Sequence, residues 1–414
     1  MSKSAGADAG PHRWGRRQSV RAAGCLIIAL IVPGLAACGS SNSSSPGGGG
    51  STGSGSSTAP IIIGSDLELS GAAGSYGTPE AQGAQFYIDQ VNATGGVGGR
   101  KVQLDSENNQ STTTQAVTDY QKFVGDSSVV ATFGPALPAT ATLMAQLAQQ
   151  NKLPLLSFLS STSDSSFNAN SFWFRFAYSA PLTVKAEANV IKGMGVKSIG
   201  VLYADDTGGH AGLPAVQAAA KAAGISISSS VSYPDGVTDP TVQVLRAKSS
   251  SDGAYFVYDP DSVARLGQVV RTMRSNGITA PIFVPENAAL PDFATAAGST
   301  ITGVYFWGWY TPENPTTATQ KQFVSAWKTK YNALPTDFQA SGYSQAQVLV
   351  GAMQSLQKAG KAITRSNMRA AIEGLSGFDS VFGKVTYSPT NHAEPFPAVN
   401  IFEYKNGSSF QASS

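Results

Sequence analysis

Short apolar segments alternate with longer amphipathic segments along most of the chain. The first apolar segment, Ile61–Ile63, consists of β-branched residues and predicts the start of a buried strand. A turn rich in glycine and serine follows over Ser70–Gly77, and Thr78 and Pro79 suit the N-cap and the first position of a helix. Apolar residues then recur at helical spacing. The pattern predicts a strand, a turn and a helix, with Tyr76 in the turn and outside any core.

The same alternation continues through two series of similar size, without a low-complexity linker between them. Further strands are predicted at 101–104, 129–133, 153–157, 198–203, 225–231, 254–258, 281–284, 303–309, 384–387 and 398–404. Helices are predicted between them, among others at 113–124, 182–194, 214–223, 241–248, 263–275, 317–331, 343–358 and 365–372. This order predicts an α/β fold of two lobes with parallel sheets, whose strands end at a shared cleft.

The first 60 residues have a different composition. His12–Arg21 is basic and Cys25–Val32 is apolar but too short to span a bilayer, so residues 1–37 read as an export signal. Leu35–Cys38 resembles the bacterial lipoprotein signal, in which the cysteine is lipidated and becomes the mature N-terminus. An ordinary cleavage site beside a chance cysteine is the alternative. Residues 38–60 then form a lipidated Cys38 and a flexible Gly/Ser tether spanning roughly 25 Å.

Charge and residue counts exclude several classes of function. The formal charge of +2 comes from the leader, and the rest of the chain is nearly neutral, with no basic field for nucleic acid. The three histidines include one in the leader, too few for a histidine-based metal site. The glycines at 71, 74 and 77 miss the dinucleotide-binding spacing, and no P-loop occurs. We therefore predict no metal, no cofactor and no enzymatic activity.

Three pieces of sequence together resemble a known family: the turn Ser70–Gly77 with its helix, the glycine-rich turn Asn92–Lys101, and the pair Gly134-Pro135. They resemble the leucine/isoleucine/valine-binding proteins, which are type I periplasmic solute-binding proteins of ABC importers. The resemblance implies two Rossmann-like lobes joined by a three-crossover hinge. By chain order it implies lobe one at 61–179 and 309–386, and lobe two at 180–308 and 387–414.

The resemblance also implies a set of ligand-binding positions. Amino-acid binders of this family hold the ligand carboxylate with two loops, which correspond here to Ala136–Thr140 and Phe158–Thr162, and the ammonium with an acid, here Glu286. Asp259 follows another strand end, and it or Asp261 is equally a loop acid or a helix cap. The predicted ligand-binding residues are Tyr76, Pro138, Ala139, Ser160, Ser161, Thr207, Asp259, Glu286 and Phe338.

This sequence departs from the amino-acid binders in the first carboxylate loop. Pro138 and Ala139 replace hydroxyl side chains, and Pro138 also lacks an N–H. A tyrosine that the family often carries is absent from Asp205–Gly209, whereas the acid Glu286 is present. These departures weaken the prediction of a branched-chain amino acid and favour a small amine-bearing or polar solute.

We therefore predict an extracytoplasmic solute-binding lipoprotein of an ABC importer, which captures an amino acid or amide-like solute between two hinged lobes. It is expected to be a monomer, to be anchored to the outer face of the cytoplasmic membrane by Cys38, and to partner a permease. The alternatives are a ligand sensor that presents its closed form to a signalling partner, and an α/β hydrolase or amidase-type enzyme.

Overall fold

A computed structural model of the protein describes residues 59–405 except 161, 311 and 314, together with the backbone of 409–412. The strands are β1 (Ile61–Leu67), β2 (Val102–Asn108), β3 (Val129–Phe133), β4 (Leu155–Ser157), β5 (Trp173–Arg175), β6 (Ser198–Asp205), β7 (Ser226–Pro234), β8 (Ala254–Tyr258), β9 (Ile282–Val284), β10 (Val304–Gly308), β11 (Phe378–Ser380), β12 (Gly383–Val385), β13 (Asn400–Lys405) and β14 (Ser409–Ala412). The α-helices are α1 (Gly74–Ala93), α2 (Thr113–Gly125), α3 (Pro138–Asn151), α4 (Asp164–Asn168), α5 (Ala180–Gly193), α6 (Thr207–Ala223), α7 (Thr241–Ala247), α8 (Val263–Ser275), α9 (Pro291–Ala297), α10 (Ala318–Tyr331), α11 (Asp337–Lys358) and α12 (Arg365–Glu373).

The strands form two main sheets. Sheet one has the order β2-β1-β3-β4-β5 and is parallel throughout. Sheet two has the order β14-β13-β10-β9-β8-β6-β7, with β13 antiparallel to β10 and β14 antiparallel to β13. The remaining pair, β11-β12, is a small hairpin. The predicted α/β class with parallel sheets is confirmed. At one edge, sheet two is extended by β13, which runs antiparallel to β10, and by β14, which pairs antiparallel with β13.

The central strands are buried on both faces, as expected for parallel strands covered by helices. Every residue of β3 and β8 is buried, and in β1 only Ile62 is partly exposed. The chain passes between the two sheets three times: from β5 to β6, from β10 to α11, and from the hairpin to β13. The helices and loops between strands therefore bring the ends of both sheets together.

Helix α11 returns to sheet one and packs against α1 at two glycines. A Cβ added to Gly83 would lie 1.9 Å from the carbonyl oxygen of Gln339, and one added to Gly342 would lie 1.8 Å from that of Glu80. The hydroxyl of Ser341 donates a 3.0 Å hydrogen bond to the Glu80 carboxyl in the same contact. The two backbones approach closely because neither glycine has a side chain.

The first helix begins earlier than its sequence predicts. It starts at Gly74, so that Tyr76 lies in the helix and Pro79 lies inside it. The hydroxyl of Thr78 does not cap the helix but donates to the carbonyl oxygen of Leu69 at 3.2 Å. The predicted turn is therefore four residues shorter. The predictions that Tyr76 lies in a turn and outside any core are both wrong, because the residue is helical and packs in the main hydrophobic cluster.

Two other helices start six or seven residues before their predicted first residue, and side-chain caps explain both. Helix α6 begins at Thr207 rather than Pro214, because the Asp206 carboxylate accepts the N–H of Gly209 at 2.8 Å. Helix α11 begins at Asp337 rather than residue 343, behind a capping box that joins Thr336 to the third helical residue.

Substitution of Gly83 tests the α1–α11 contact. We expect Gly83→Ala to lower the free energy of unfolding by roughly 1–3 kcal/mol, because the new methyl group overlaps the backbone of α11. Gly193→Ala is the matched control, since a Cβ there meets no atom within 4 Å. Chemical denaturation of both variants gives the measurement, and equal stability of the two would contradict the close packing.

Candidate ligand-binding site

Tyr76 connects the ends of the two sheets. It lies in the first turn of α1, after β1, and only 3% of its surface is exposed. Its hydroxyl donates to the carbonyl oxygen of Pro260 at 3.3 Å and accepts from the Asn287 side-chain amide at 3.2 Å. Pro260 follows β8 and Asn287 follows β9, both in sheet two. The carboxyl ends of the two sheets therefore face each other, as the sequence predicts.

An aromatic wall supports Tyr76 from the side of α11. Phe338 stacks on the Tyr76 ring with 5.0 Å between centroids and 12° between planes. Phe158, in the loop after β4, packs edge-on against Phe338 at 5.5 Å between centroids, and its ring is tilted by 44° against Trp309 at 4.9 Å. Tyr178 stacks on Trp309 at 5.0 Å. Of the predicted site residues, Tyr76 and Phe338 are thus in contact, and both are buried.

Glu286 precedes Asn287, the partner of Tyr76, and has an unsatisfied carboxyl oxygen. It opens a short 3₁₀ helix after β9 and is 8% exposed. Its Oε2 atom is buried and has no hydrogen-bond partner among the described residues. Burial, together with the negative charges of Asp261 and Asp337, raises the pKa of Glu286 to about 8. A buried carboxyl without a partner is costly, so this atom points to a ligand or a bound proton.

Glu187 is a second unsatisfied carboxyl group, which the sequence analysis did not single out. It lies in α5, is 2% exposed, and its buried Oε1 has no partner in the described part of the chain. Burial and the charge of Glu286 raise its pKa well above the usual range. Its spacing from Val184 and Ile191 places it on the buried face of the helix, and this placement could have signalled it.

Asp259 has a different environment and is fully engaged within the protein. The Arg265 guanidinium donates to both of its oxygens, at 2.6 and 2.8 Å, and the Tyr233 hydroxyl donates at 3.0 Å. Arg265 also contacts Asp206 and Asp235. These partners occupy both oxygens of Asp259, and the ligand contact of this residue stays a prediction.

The neighbouring Asp261 is the better placed acid of the two. Its Oδ2 accepts the N–H of Gly208 at 3.2 Å, at the start of α6. Burial and the charges of Asp206 and Asp259 raise its pKa to about 7. Asp261 is half-buried, and its charge contributes to the raised pKa of Glu286.

A cavity of about 810 Å³ lies between α3, α5 and α6. Pro138 and Thr207, both predicted site residues, line it, together with many alanines of α6. Ala139 is exposed and is not among the lining residues. Ser160 is buried beside the cavity, and its carbonyl oxygen accepts the N–H of Ala180 at 2.7 Å. The predicted first loop therefore contributes Pro138 but not Ala139.

The backbone N–H groups of that first loop are already occupied. The Glu68 carboxyl, which directly follows β1, accepts the N–H of Ala136 at 3.0 Å with Oε2 and that of Leu137 at 3.2 Å with Oε1. Glu68 is completely buried, and burial raises its pKa. Glu68 is not among the predicted site residues, although its place between two leucines at the end of a strand is a signal of burial.

Two predicted positions lie outside the described residues: Ser161 in the second loop and Cys38, the proposed lipidation site. In the described part, no group of three or more His, Cys, Asp or Glu residues is placed to hold a metal ion. No helix in the same part of the chain has both the length and the apolar character needed to cross a membrane.

Two α/β layers that face each other across a buried polar site define a binding protein of the two-lobed type. The sequence pattern of the family described as periplasmic binding protein matches residues 60–409, most of the chain. The protein belongs to this family, and the family resemblance predicted from the sequence is confirmed. Because the relatives are binding proteins rather than enzymes, the prediction that the chain is not an enzyme is also confirmed.

The similar proteins agree on this class. Leu/Ile/Val-binding protein homolog 3 of Brucella melitensis is 24% identical over 360 residues, which covers 84% of this chain and 92% of that protein. The substrate-binding protein LivJ of Streptococcus pneumoniae, solved with isoleucine, superposes with a TM-score of 0.76 at 22% identity, covering 86% of this chain and 99% of LivJ. The leucine-binding protein LivK of Thermotoga maritima superposes with a TM-score of 0.76 at 22% identity, and the superposition covers 86% of this chain and 98% of LivK.

The raised pKa of Glu286 predicts how stability changes with pH. The folded state holds this proton up to about pH 8, whereas an unfolded glutamate releases it near 4.5, so the free energy of unfolding falls as the pH rises between these values. Glu286→Gln cannot ionise. We expect it to melt at nearly the wild-type temperature at pH 5, but to be more stable than the wild type at pH 8, by a few kcal/mol at most.

Melting curves at both pH values provide the measurement for this prediction. Asp292→Asn, which removes an exposed carboxylate from the adjoining helix α9, serves as the control and should not show the pH-dependent gain. If Glu286→Gln and the wild type differ in melting temperature by the same amount at pH 5 and pH 8, the raised pKa of Glu286 is contradicted.

Proposed function

We propose that the protein is an extracytoplasmic solute-binding protein, which captures a small polar solute between its two lobes and delivers it to the permease of an ABC importer. One observation carries the proposal: Tyr76 joins the ends of both sheets beside Glu286, a buried carboxyl group with an unpartnered oxygen. A solute with an amine or amide N–H would donate to that oxygen. Hydrogen bonds to a charged acceptor in a site shielded from water are stronger than exposed ones.

The lobes of this proposal follow the two sheets. Lobe one would comprise 61–179 and 309–386, and lobe two 180–308 and 387–414. The placement of β1–β5 in one sheet and of β6–β10 with β13 in the other supports these boundaries. The three chain passages between the sheets would act as the hinge. A solute that contacts both lobes favours the closed arrangement, because it binds that arrangement better than the open one.

The names of the relatives support the class of solute. Similar proteins are described as Leu/Ile/Val-binding, and the LivJ structure contains isoleucine. In this chain, Pro138 occupies the first loop at the cavity edge, and Tyr76, Phe338, Ser160, Ser161, Thr207 and Glu286 would line or border the solute. We propose an amino acid or amide-like solute with at least one N–H donor. Asp259 would hold the surrounding loops through Arg265.

A solute screen tests this proposal. In thermal-shift measurements, amino acids, amides, urea, polyamines and aromatic acids are added singly, and a bound solute raises the apparent melting temperature by mass action. For an amine-bearing solute found in this way, we expect Glu286→Gln to weaken binding by on the order of 2–3 kcal/mol, the range for losing a charged buried hydrogen bond. Titration calorimetry gives the value. Unchanged affinity would remove Glu286 from the site.

The proposed location depends on Cys38. We propose that it is lipidated after removal of residues 1–37 and that the 39–60 tether holds the protein, as a monomer, beside the outer face of the cytoplasmic membrane. Its place directly after Leu35-Ala36-Ala37 supports this, as does the absence of other cysteines after the leader. Cys38→Ala should move the protein from the membrane fraction to the soluble extracytoplasmic fraction, and retention in the membrane would contradict lipidation.

A further inference from the structure

We propose that the cavity between α3, α5 and α6 binds the anionic group of the solute at Lys185 and an extended apolar body of the solute along α6. The inference rests on the proposed function, in which α3 belongs to lobe one and α5 and α6 belong to lobe two. It narrows the solute to a carboxylate, or another organic anion, with a long hydrocarbon or aromatic part. Three observations support it: the charge of the cavity lining, the helices that begin at the cavity, and the apolar face of α6.

The cavity lining offers hydrogen-bond donors and one positive charge. Among the described residues that line the cavity of about 810 Å³, Lys185 is the only charged one, and no acid is among them. Lys185 is exposed and has no ion-pair partner in the described part of the chain. Glu187 is two residues further along α5, so the two side chains do not face each other. A lysine ammonium donates strong hydrogen bonds to a carboxylate.

The acids next to the lining already have cationic partners of their own. Asp164, which follows the second predicted loop, pairs with the Arg175 guanidinium at 2.5 Å. Asp206, which caps α6, pairs with Arg265. Because each of these acids is balanced by an arginine, Lys185 remains available for an anionic ligand.

Three helices begin at the cavity, and their position also favours an anion. Their first residues, Pro138 of α3, Ala180 of α5 and Thr207 of α6, all line the cavity. The N-terminus of an α-helix carries a partial positive charge, because its first N–H groups have no partner within the helix. The three helix starts therefore add to the positive potential that Lys185 supplies.

The start of α3 also has backbone donors that the protein does not use. Glu68 accepts the N–H groups of the two residues that precede this helix. The N–H groups of Ala139 and Thr140, in its first turn, have no partner among the described residues, and no side chain caps the helix. Ser179 and Asp206, in contrast, cap α5 and α6. Of the three helices, α3 is therefore the one whose N–H groups remain for a ligand.

One face of α6 provides a long apolar wall for the body of the solute. Small apolar residues recur on this face at helical spacing, and all of them line the cavity: Ala211, Pro214, Ala215, Ala218, Ala219 and Ala222. From Thr207 to Ala222 the helix rises by roughly 22 Å, at about 1.5 Å per residue. The cavity volume also lies in the upper part of the roughly 300–1,000 Å³ range of small-molecule sites. We therefore expect the apolar part of the solute to be longer than a leucine side chain, since burial against this wall stabilises it.

Matched pairs of compounds test the binding of an anionic group at Lys185. Leucine and isopentylamine differ only in the α-carboxylate, as do phenylalanine and phenethylamine. In titration calorimetry with the wild-type protein, we expect each amino acid to bind at least tenfold more tightly than its amine. Lys185→Met should reduce this preference at least fivefold, because it keeps an apolar side chain but removes the ammonium. Lys192→Gln, which changes an exposed lysine of α5 outside the cavity lining, should keep the preference.

The outcomes separate this inference from the proposed function. Equal or tighter binding of either amine would overturn the inference and leave the proposed function intact, as would binding only of screened solutes that have no anionic group. A preference that Lys185→Met leaves unchanged would overturn the role of Lys185. Absence of binding by all four compounds, and by every solute of the screen, would refute the proposed function and this inference with it.

A series of straight-chain amino acids tests the apolar wall with a constant head group. We expect the affinity to rise at least tenfold from norvaline to α-aminooctanoate, because three more methylene groups are buried. Ala218→Phe, which fills the cavity from α6, should remove most of this rise. Gln217→Phe, which places the same side chain at an exposed position of α6 outside the cavity lining, should keep it. Equal affinities along the series, or the same rise in Ala218→Phe, would overturn the extended apolar body.

Discussion

Burial of carboxyl groups between two facing sheets is the constraint on which this structure depends. Both parallel sheets end at the same interface, so the acids that follow their strands are removed from water together. The structure supplies hydrogen-bond partners to some of these acids and leaves others with a free oxygen. Asp259 receives the guanidinium of Arg265, and Glu68 receives two backbone N–H groups. Glu286 and Glu187 each keep a free buried oxygen. An unpartnered buried acid is costly wherever it lies, and Asp66 and Glu80 also have a buried oxygen without a partner among the described residues. Glu286 differs from these two acids by its place next to Asn287, which contacts Tyr76 across the interface.

The surrounding packing keeps those acids in place. The close approach of α1 and α11 fixes Phe338 against Tyr76, and the Tyr76 hydroxyl in turn reaches Asn287, the residue after Glu286. On the other side, Arg265 ties together the loops that follow β6, β7 and β8 through its three aspartates. The site is therefore held by one aromatic stack and one ionic cluster, which lie on opposite sides of the interface.

The sequence predicts the architecture well because its signals are local and repeated. Strands β3 and β8 and helix α8 match their predicted bounds, since each is an uninterrupted apolar or amphipathic segment. The observed starts of α1 and α6 differ from the predicted ones, because Pro79 and Pro214 suit the first turn of a helix but lie inside these two helices. Caps and backbone turns that begin a helix earlier depend on three-dimensional contacts, such as the Asp206 carboxylate bound to an N–H in the next turn.

The candidate site was predictable only in part. Tyr76 is predicted from its turn after a strand and Glu286 from the family resemblance. The burial of Tyr76 by Phe338, however, depends on residues more than 250 positions apart. The sequence also does not show which of Asp259 and Asp261 pairs with an arginine. Arg265 binds Asp259 because of their positions in the folded structure, and the spacing of the three residues along the chain does not predict this. Glu68 and Glu187 are not predicted for the same reason. Glu68 binds N–H groups that are far away in the sequence, and the unpartnered oxygen of Glu187 depends on which distant elements pack around it.

The contact between α1 and α11 also sets the order in which the chain can complete its fold. Glu80 and Ser341 are 261 positions apart, and Arg365 binds the carbonyl oxygens of Phe123 and Val129 across a similar distance. Contacts at such separation form late, because a long loop must close before they can stabilise anything. The first half of the chain therefore keeps an open helix face until its last quarter has been synthesised.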